Sequence, residues 1–266
     1  MSIPVRRAGR VSLTTLPTVR DAPAASAAQM AEADRIASTE LGIPLEALME
    51  NAARQVAVAT RLFLGGVAGK DIVAIAGTGN NGGDALGALR HLHGWGARVE
   101  AYVAAPRERL RPLAALQYDI LAALGIALHE TTSSVLPVLV ERFTSADALL
   151  DGLLGYSAKG APRGEIARLI QATASGGPGR IVAVDVPSGV DPDTGETMSG
   201  GPLGTVPAAL TVTLALPKAG LLRQPARRWA GELLLADIGI PAKAFEPLGI
   251  AAQGVFASGD LVRIIR

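Results

Sequence analysis

The chain has 266 residues, a formal net charge of +1, no cysteine and only 3% aromatic residues. That length suits one large α/β domain, and interspersed, balanced charge with few aromatics argues against a nucleic-acid surface. The absence of cysteine excludes disulfides and thiolate metal sites and fits a reducing, cytoplasmic setting, while charges, glycines and prolines interrupt every apolar run too early for a membrane span.

Met1 to Arg20 carry Arg6, Arg7, Arg10 and Arg20 without an acid. No apolar stretch follows Arg6-Arg7 as a secretory signal requires, so residues 1–21 read as a tail before a single domain over 22–266. Ser26-Ala-Ala-Gln29 has capping-box spacing, and a helical pattern runs to Leu41, where Gly42-Ile-Pro44 stops it. Leu45 to Leu64 forms a second amphipathic helix with Leu48, Ala52, Val56 and Ala59 on one face. These two helices offer apolar faces for a homodimer contact. Strand and helix then alternate. Strands are expected at 71–76, 98–104, 126–130, 146–151, 180–185, 209–216 and 232–237, and helices at 84–94, 110–124, 134–143 and 162–174. The early strands are apolar on both faces, as in a parallel sheet between helical layers.

Gly77-Thr-Gly-Asn-Asn-Gly-Gly-Asp84 joins the first such strand to a helix. Strand, glycine-rich turn and helix aim backbone N–H groups at an anion, usually a phosphate. Gly77, Gly79 and Gly82 also satisfy the dinucleotide fingerprint, with Glu100 about 20 residues on. Asn80, Asn81 and Asp84 are atypical of a hydride-transfer enzyme, however, and Glu100 falls mid-strand. Two further strands end in acids: Asp151, followed by the glycine-flanked loop to Lys159 and Gly160, and Asp185, followed by Pro187-Ser188-Gly189. Ligands of open α/β sheets bind at the carboxyl ends of strands. Strand-end aspartates commonly cap helices or brace turns, but three glycine-flanked ones directed to one rim suggest a site. Their amide, carboxylate and hydroxyl oxygens suit an alkali or alkaline-earth ion rather than zinc or iron. His91 and His93, two apart on a helix, read as surface residues. Lys218, after an alternating strand, would by default be solvated, and Lys159 has a similar claim as a phosphate contact.

Together these stretches resemble the YjeF N-terminal domain family, the NAD(P)H-hydrate epimerases. The resemblance covers roughly residues 22–242 and runs through Ala28–Asp34, Gly42-Ile-Pro44, Leu48–Ala53, Gly79–Asp84, Asp151–Gly155, Val184–Gly189, Thr211-Val-Thr213, Pro217-Lys218 and Ala236–Pro241. It implies a three-layer α/β/α sandwich with a Rossmann-like, mostly parallel sheet and two extra N-terminal helices. It also implies interconversion of the R and S forms of NADHX and NADPHX, the hydrated reduced cofactors. It further implies a bound potassium ion at Asn81, Asp151 and Ser188. Substrate contacts carry over to Asn80, Asn81, Gly82, Gly83 and Asp84, to Gly155, Tyr156, Ser157, Ala158, Lys159, Gly160 and Ala161, and to Asp185. Asp185 is expected as the acid/base and Lys218 as its partner. Because many relatives carry a fused dehydratase, the resemblance implies that an ATP- or ADP-dependent NAD(P)HX dehydratase acts here in trans. Three positions depart from the family pattern: Ala85 replaces a glycine, Ala209 stands where an aspartate is common, and Leu214 replaces an aromatic. A non-catalytic binding module on the same fold is the alternative. The retained polar constellation favours an enzyme.

Overall fold

The computed structural model describes residues 13–131, 136–175, 178–199 and 201–265. Arg6, Arg7 and Arg10, and the first two residues of the helix expected at 134–143, lie outside them. In chain order the main elements begin with β1 (Thr18–Val19), α1 (Ala27–Arg35), α2 (Leu45–Phe63), β2 (Asp71–Ala76) and α3 (Asn80–Gly94). They continue with β3 (Arg98–Val103), α4 (Pro112–Ala123), β4 (Ala127–Glu130), α5 (Leu136–Ser145), β5 (Ala148–Gly152) and α6 (Gly164–Ser175). The last are β6 (Ile181–Val184), β7 (Leu210–Leu214), α7 (Gln224–Ala230), β8 (Glu232–Ala236) and β9 (Leu261–Ile264).

Among the described residues these strands form one nine-stranded sheet in the order β1-β9-β8-β7-β6-β5-β2-β3-β4. Every pairing is parallel except β8 with β9. Alternate residues of each strand leave on opposite faces. Ile72, Ala74 and Ala76 of β2 therefore pack with the α2, α3 and α4 layer, and Val73 and Ile75 with α5 and α6. Val, Ile, Leu and Ala on both faces are what a parallel sheet covered twice requires. The result is the expected three-layer α/β/α sandwich.

Ser26 caps α1 through a reciprocal capping box with Gln29, as its spacing suggests. The helix then widens into a π turn over Ile36–Glu40 before Gly42, at φ +71°, ends it. The apolar face of α2 is spent inside the chain: Leu48, Ala52, Val56 and Ala59 are buried, and α2 packs on α3. That use removes the reason for reading it as a dimer surface. His91 also differs from expectation. It is mostly buried and meets Glu50 at 3.0 Å, whereas His93 is exposed. Among the described residues no helix is long and apolar enough to cross a membrane.

Candidate active site

Chain order along the sheet reverses between β2 and β5, and the crevice at such a switch point is where open α/β sheets hold ligands. The two strand ends are tied together by Gly77 N–H donating to the Gly152 carbonyl at 3.1 Å. A cavity of about 340 Å³ opens there, lined by residues of β2–α3, the loop after β5, the strand ends carrying Asp185 and Leu214, and α1 and α2. Helix α3 starts at Asn80, four residues before the expected 84. Two glycines in its first turn permit this. A Cβ on Gly82 would lie 2.1 Å from the Gly77 carbonyl oxygen, and one on Gly83 would lie 2.6 Å from Met49 Cε. They serve close packing rather than a loop. The N-cap, Gly79, offers no side-chain acceptor, so the first-turn N–H groups face the cavity mouth with the positive end of the helix dipole.

The floor is built on Asp185. The chain leaves β6 with this residue at φ +66°, a left-handed conformation that costs roughly 1–3 kcal/mol for a non-glycine residue. The turn lets the carboxylate accept from the backbone N–H groups of Tyr156 (3.2 Å) and Leu214 (3.3 Å). Lys218 completes the arrangement by donating to Asp185 and, at 2.8 Å, to the Leu214 carbonyl. The lysine is 1% exposed, so the default of a solvated side chain does not hold. Its backbone is pinned by Ala25, which donates to the Pro217 carbonyl and accepts from Ala219.

Two more carboxylates face this pair. Asp34 of α1 accepts from the Tyr156 hydroxyl, and the Tyr156 ring lies 5.6 Å from Lys218 Nζ. Burial raises the Asp34 carboxyl above its ordinary range, against the Tyr156 hydrogen bond and Lys218, which lower it. The Tyr156 hydroxyl is itself pushed up, chiefly by burial and then by Asp34. Asp84 is nearly buried and accepts no hydrogen bond among the described residues. Burial, reinforced by Asp185 and Asp34 and opposed by Lys218, drives its pKa well above the usual carboxylate value. The cavity thus combines carboxyl groups in different protonation environments around one lysine, an arrangement suited to giving and taking protons.

Behind this floor, Asn81, Asp151 and Ser188 are joined through Leu154. Asn81 donates to the Leu154 carbonyl at 3.0 Å, Leu154 N–H donates to Ser188 Oγ at 2.9 Å, and Ser188 Oγ donates to Asp151 at 2.6 Å. Ser188 N–H also donates to Asp151, at 2.8 Å. Asp151 is fully buried and has no cationic side chain paired with it among the described residues. Burial pushes its carboxyl up to about 6 despite the Ser188 hydrogen bonds. A buried carboxylate that accepts from Leu153 N–H, Ser188 N–H and Ser188 Oγ and keeps a lone pair free, beside amide and hydroxyl oxygens, is a donor set that fits a hard alkali or alkaline-earth ion.

The expected residues Asn80, Asn81, Asp84, Gly155, Tyr156, Ser157, Ala158, Asp185 and Lys218 all line the cavity. Gly82 and Gly83 sit inside α3, while Lys159, Gly160 and Ala161 are exposed and off the cavity wall. Glu100, the candidate ribose acid of the dehydrogenase reading, is engaged instead by Arg142 and His129. Ala85 is accommodated because it faces a glycine: a Cβ on Gly152 would lie 2.5 Å from the Ala85 methyl. Sequence reasoning missed Asp34 and Arg111 as cavity residues. Asp34 had a signal, lying one turn after the buried Met30 on the same helix face.

Fold and site define a Rossmann-type α/β protein with a small-molecule cavity at its switch point. Comparison with known proteins narrows this. The profile of the family described as YjeF-related protein N-terminus matches residues 45–220. An NAD(P)H-hydrate epimerase of Dehalogenimonas lykanthroporepellens is 40% identical over 88% of this chain and 90% of its own length. One from Rhodopirellula baltica is 32% identical over 86% and 89%. A bifunctional NAD(P)H-hydrate repair enzyme of Moorella thermoacetica is 39% identical over 82% of this chain, which spans only 41% of that relative. The crystal structure of yeast YNL200c superposes with a TM-score of 0.73 at 24% identity, covering 90% of this chain and 99% of that one, a likeness of fold. The chain belongs to the YjeF N-terminal family.

Proposed function

We propose that this protein epimerises the R and S forms of hydrated NADH and NADPH, a repair reaction on damaged nicotinamide cofactors. The observation that carries the reading is the buried Asp185–Lys218 pair facing Asp34 and Asp84 across one cavity. The hydrated carbon of the substrate bears a hydroxyl and is bonded to the ring nitrogen. A carboxyl group protonates that hydroxyl, the C–O bond breaks, water leaves, and the nitrogen lone pair forms the iminium. Water adds to the opposite face and its proton returns to a carboxylate, so the sequence is redox-neutral and needs no covalent nucleophile. The Asp185 carboxylate left by the proton transfer stabilises the cationic iminium. Asp185 is assigned the proton transfer and Lys218 the control of its charge.

Potassium would be held by oxygens of Asn81, Asp151 and Ser188 and would supply a fixed positive charge to lock the loops after β5 and β6. Substrate contacts are assigned to the expected residues that line the cavity: Asn80, Asn81, Asp84, Gly155–Ala158 and Asp185. The S product would pass to a separate ATP- or ADP-dependent dehydratase. The test is incubation of purified R-NADHX with protein and potassium, following S-NADHX by chromatography, with Asp185→Asn as control. Conversion by wild type and loss in the variant, with binding kept within a few-fold, is expected. Undiminished turnover by Asp185→Asn would refute the assignment.

A further inference from the structure

A second cavity of about 440 Å³ adjoins the first and shares Leu45, Asn80, Arg111 and Leu113 with it. Its apolar walls are Ile43, Pro44, Pro112 and those shared leucines, and its polar groups include Ser38 and the exposed carboxylate of Glu46. Arg111 lies where the two cavities meet. Its backbone N–H donates to the Thr78 carbonyl at 2.9 Å, which fixes its position beside the glycine-rich segment, and its guanidinium pairs with nothing among the described residues. An unpaired guanidinium at the waist of a two-chambered groove matches a ligand made of two bulky halves joined by an anion.

Resting on the epimerase reading, we propose that this second cavity is the adenosine subsite. Arg111 holds the diphosphate that joins the two nucleotides, and Glu46 selects NADHX over NADPHX. The volume lies within the range of small-ligand pockets, and the apolar walls suit the faces of a purine. The Glu46 carboxylate accepts from ribose hydroxyls and repels a 2′-phosphate. Arg111 and Glu46 are specificity-determining residues, remote from the hydrated carbon.

The test uses the full chain with R-NADHX and R-NADPHX as substrates and ADP-ribose as a non-reacting probe of the second cavity, followed by calorimetry. Arg111→Ala should raise KM for R-NADHX and weaken ADP-ribose about tenfold or more, leave kcat within about twofold, and be partly rescued by Arg111→Lys. Glu46→Arg should shift the kcat/KM ratio of the two substrates about tenfold toward R-NADPHX, which loss of a merely structural residue would not do. If wild type turns over R-NADHX and both variants keep its constants and ADP-ribose affinity, the subsite is wrong and the epimerase reading stands. If wild type turns over neither substrate yet binds ADP-ribose through Arg111, the subsite stands and the epimerase reading falls. Absence of both turnover and binding overturns the two together.

Discussion

Lys218 and Asp185 are 1% and 4% exposed as side chains, so neither charge has water to fall back on if its partner is removed. Lys218→Met keeps the length and apolar stem but strands the Asp185 carboxylate with only the backbone donors of Tyr156 and Leu214. Breaking a buried ion pair from one side costs about 3–5 kcal/mol. Asp185→Asn strands the ammonium instead and should cost a similar amount. The double variant removes both charges together. What remains is one hydrogen bond lost from the Leu214 carbonyl, which still accepts from the Leu216 N–H at 2.8 Å; a bond to a charged donor is worth about 1–3 kcal/mol. The singles therefore sum to about 6–10 kcal/mol while the double loses only about 1–3, a non-additivity of at least about 3 kcal/mol. Equilibrium urea unfolding of the four proteins at pH 7 measures this directly. A double variant whose loss equals the sum of the singles within about 0.5 kcal/mol would refute the coupling, and with it the reading of Lys218 as the group that sets the charge of Asp185.

Asp84→Asn should stabilise the fold at pH 7. The native pKa of Asp84 lies above the unfolded value of 3.8, so the native state binds the extra proton and wild-type stability falls as pH rises through that window. The gain from asparagine should vanish below about pH 4, where both states are protonated, and a gain unchanged at pH 3 would disprove the linkage. Gly82→Ala places a Cβ 2.1 Å from the Gly77 carbonyl. It should cost several kcal/mol in thermal unfolding despite alanine's helix advantage of about 1 kcal/mol. Gly83→Ala meets the flexible end of Met49 and should cost less; the reverse order would contradict the packing argument. Ser188→Ala removes the hydroxyl bonds to Asp151 and Leu154 but keeps the backbone N–H donation to Asp151, and should lose about 1–3 kcal/mol. It should also abolish any rise in melting temperature on exchanging sodium for potassium, and a retained potassium shift would move the ion elsewhere.

The fold was largely legible because its core strands are apolar on both faces and alternate with helices. Those signals depend on local spacing. The strands that were missed, β1 and β9, are short edge pieces whose identity comes from pairing with each other: Thr18 beside Arg263 and Val19 beside Ile264. The start of α3 was misplaced because glycine marks a loop in sequence, whereas Gly82 and Gly83 here admit backbone and Met49 into the first turn. Asp151, Asp185 and Ser188 were readable as strand-end residues. The burial of Lys218 was not, since it depends on Ala25, nearly two hundred residues earlier, bracketing the lysine's backbone. Asp34 and Arg111 escaped notice for the same reason. Asp34 reaches the cavity from an element whose own pattern says only helix, and Arg111 from the extended residue just before α4.

The pairing of β1 with β9 has a topological consequence. Because Thr18–Val19 lies alongside Arg263–Ile264, the first and last strands share one margin of the sheet, with β9 four and β1 five strand spacings, or about 19 and 24 Å, from β5 and the switch point. Joining the ends with a short linker and reopening the chain at an exposed turn would permute the sequence without redirecting any strand that carries the site.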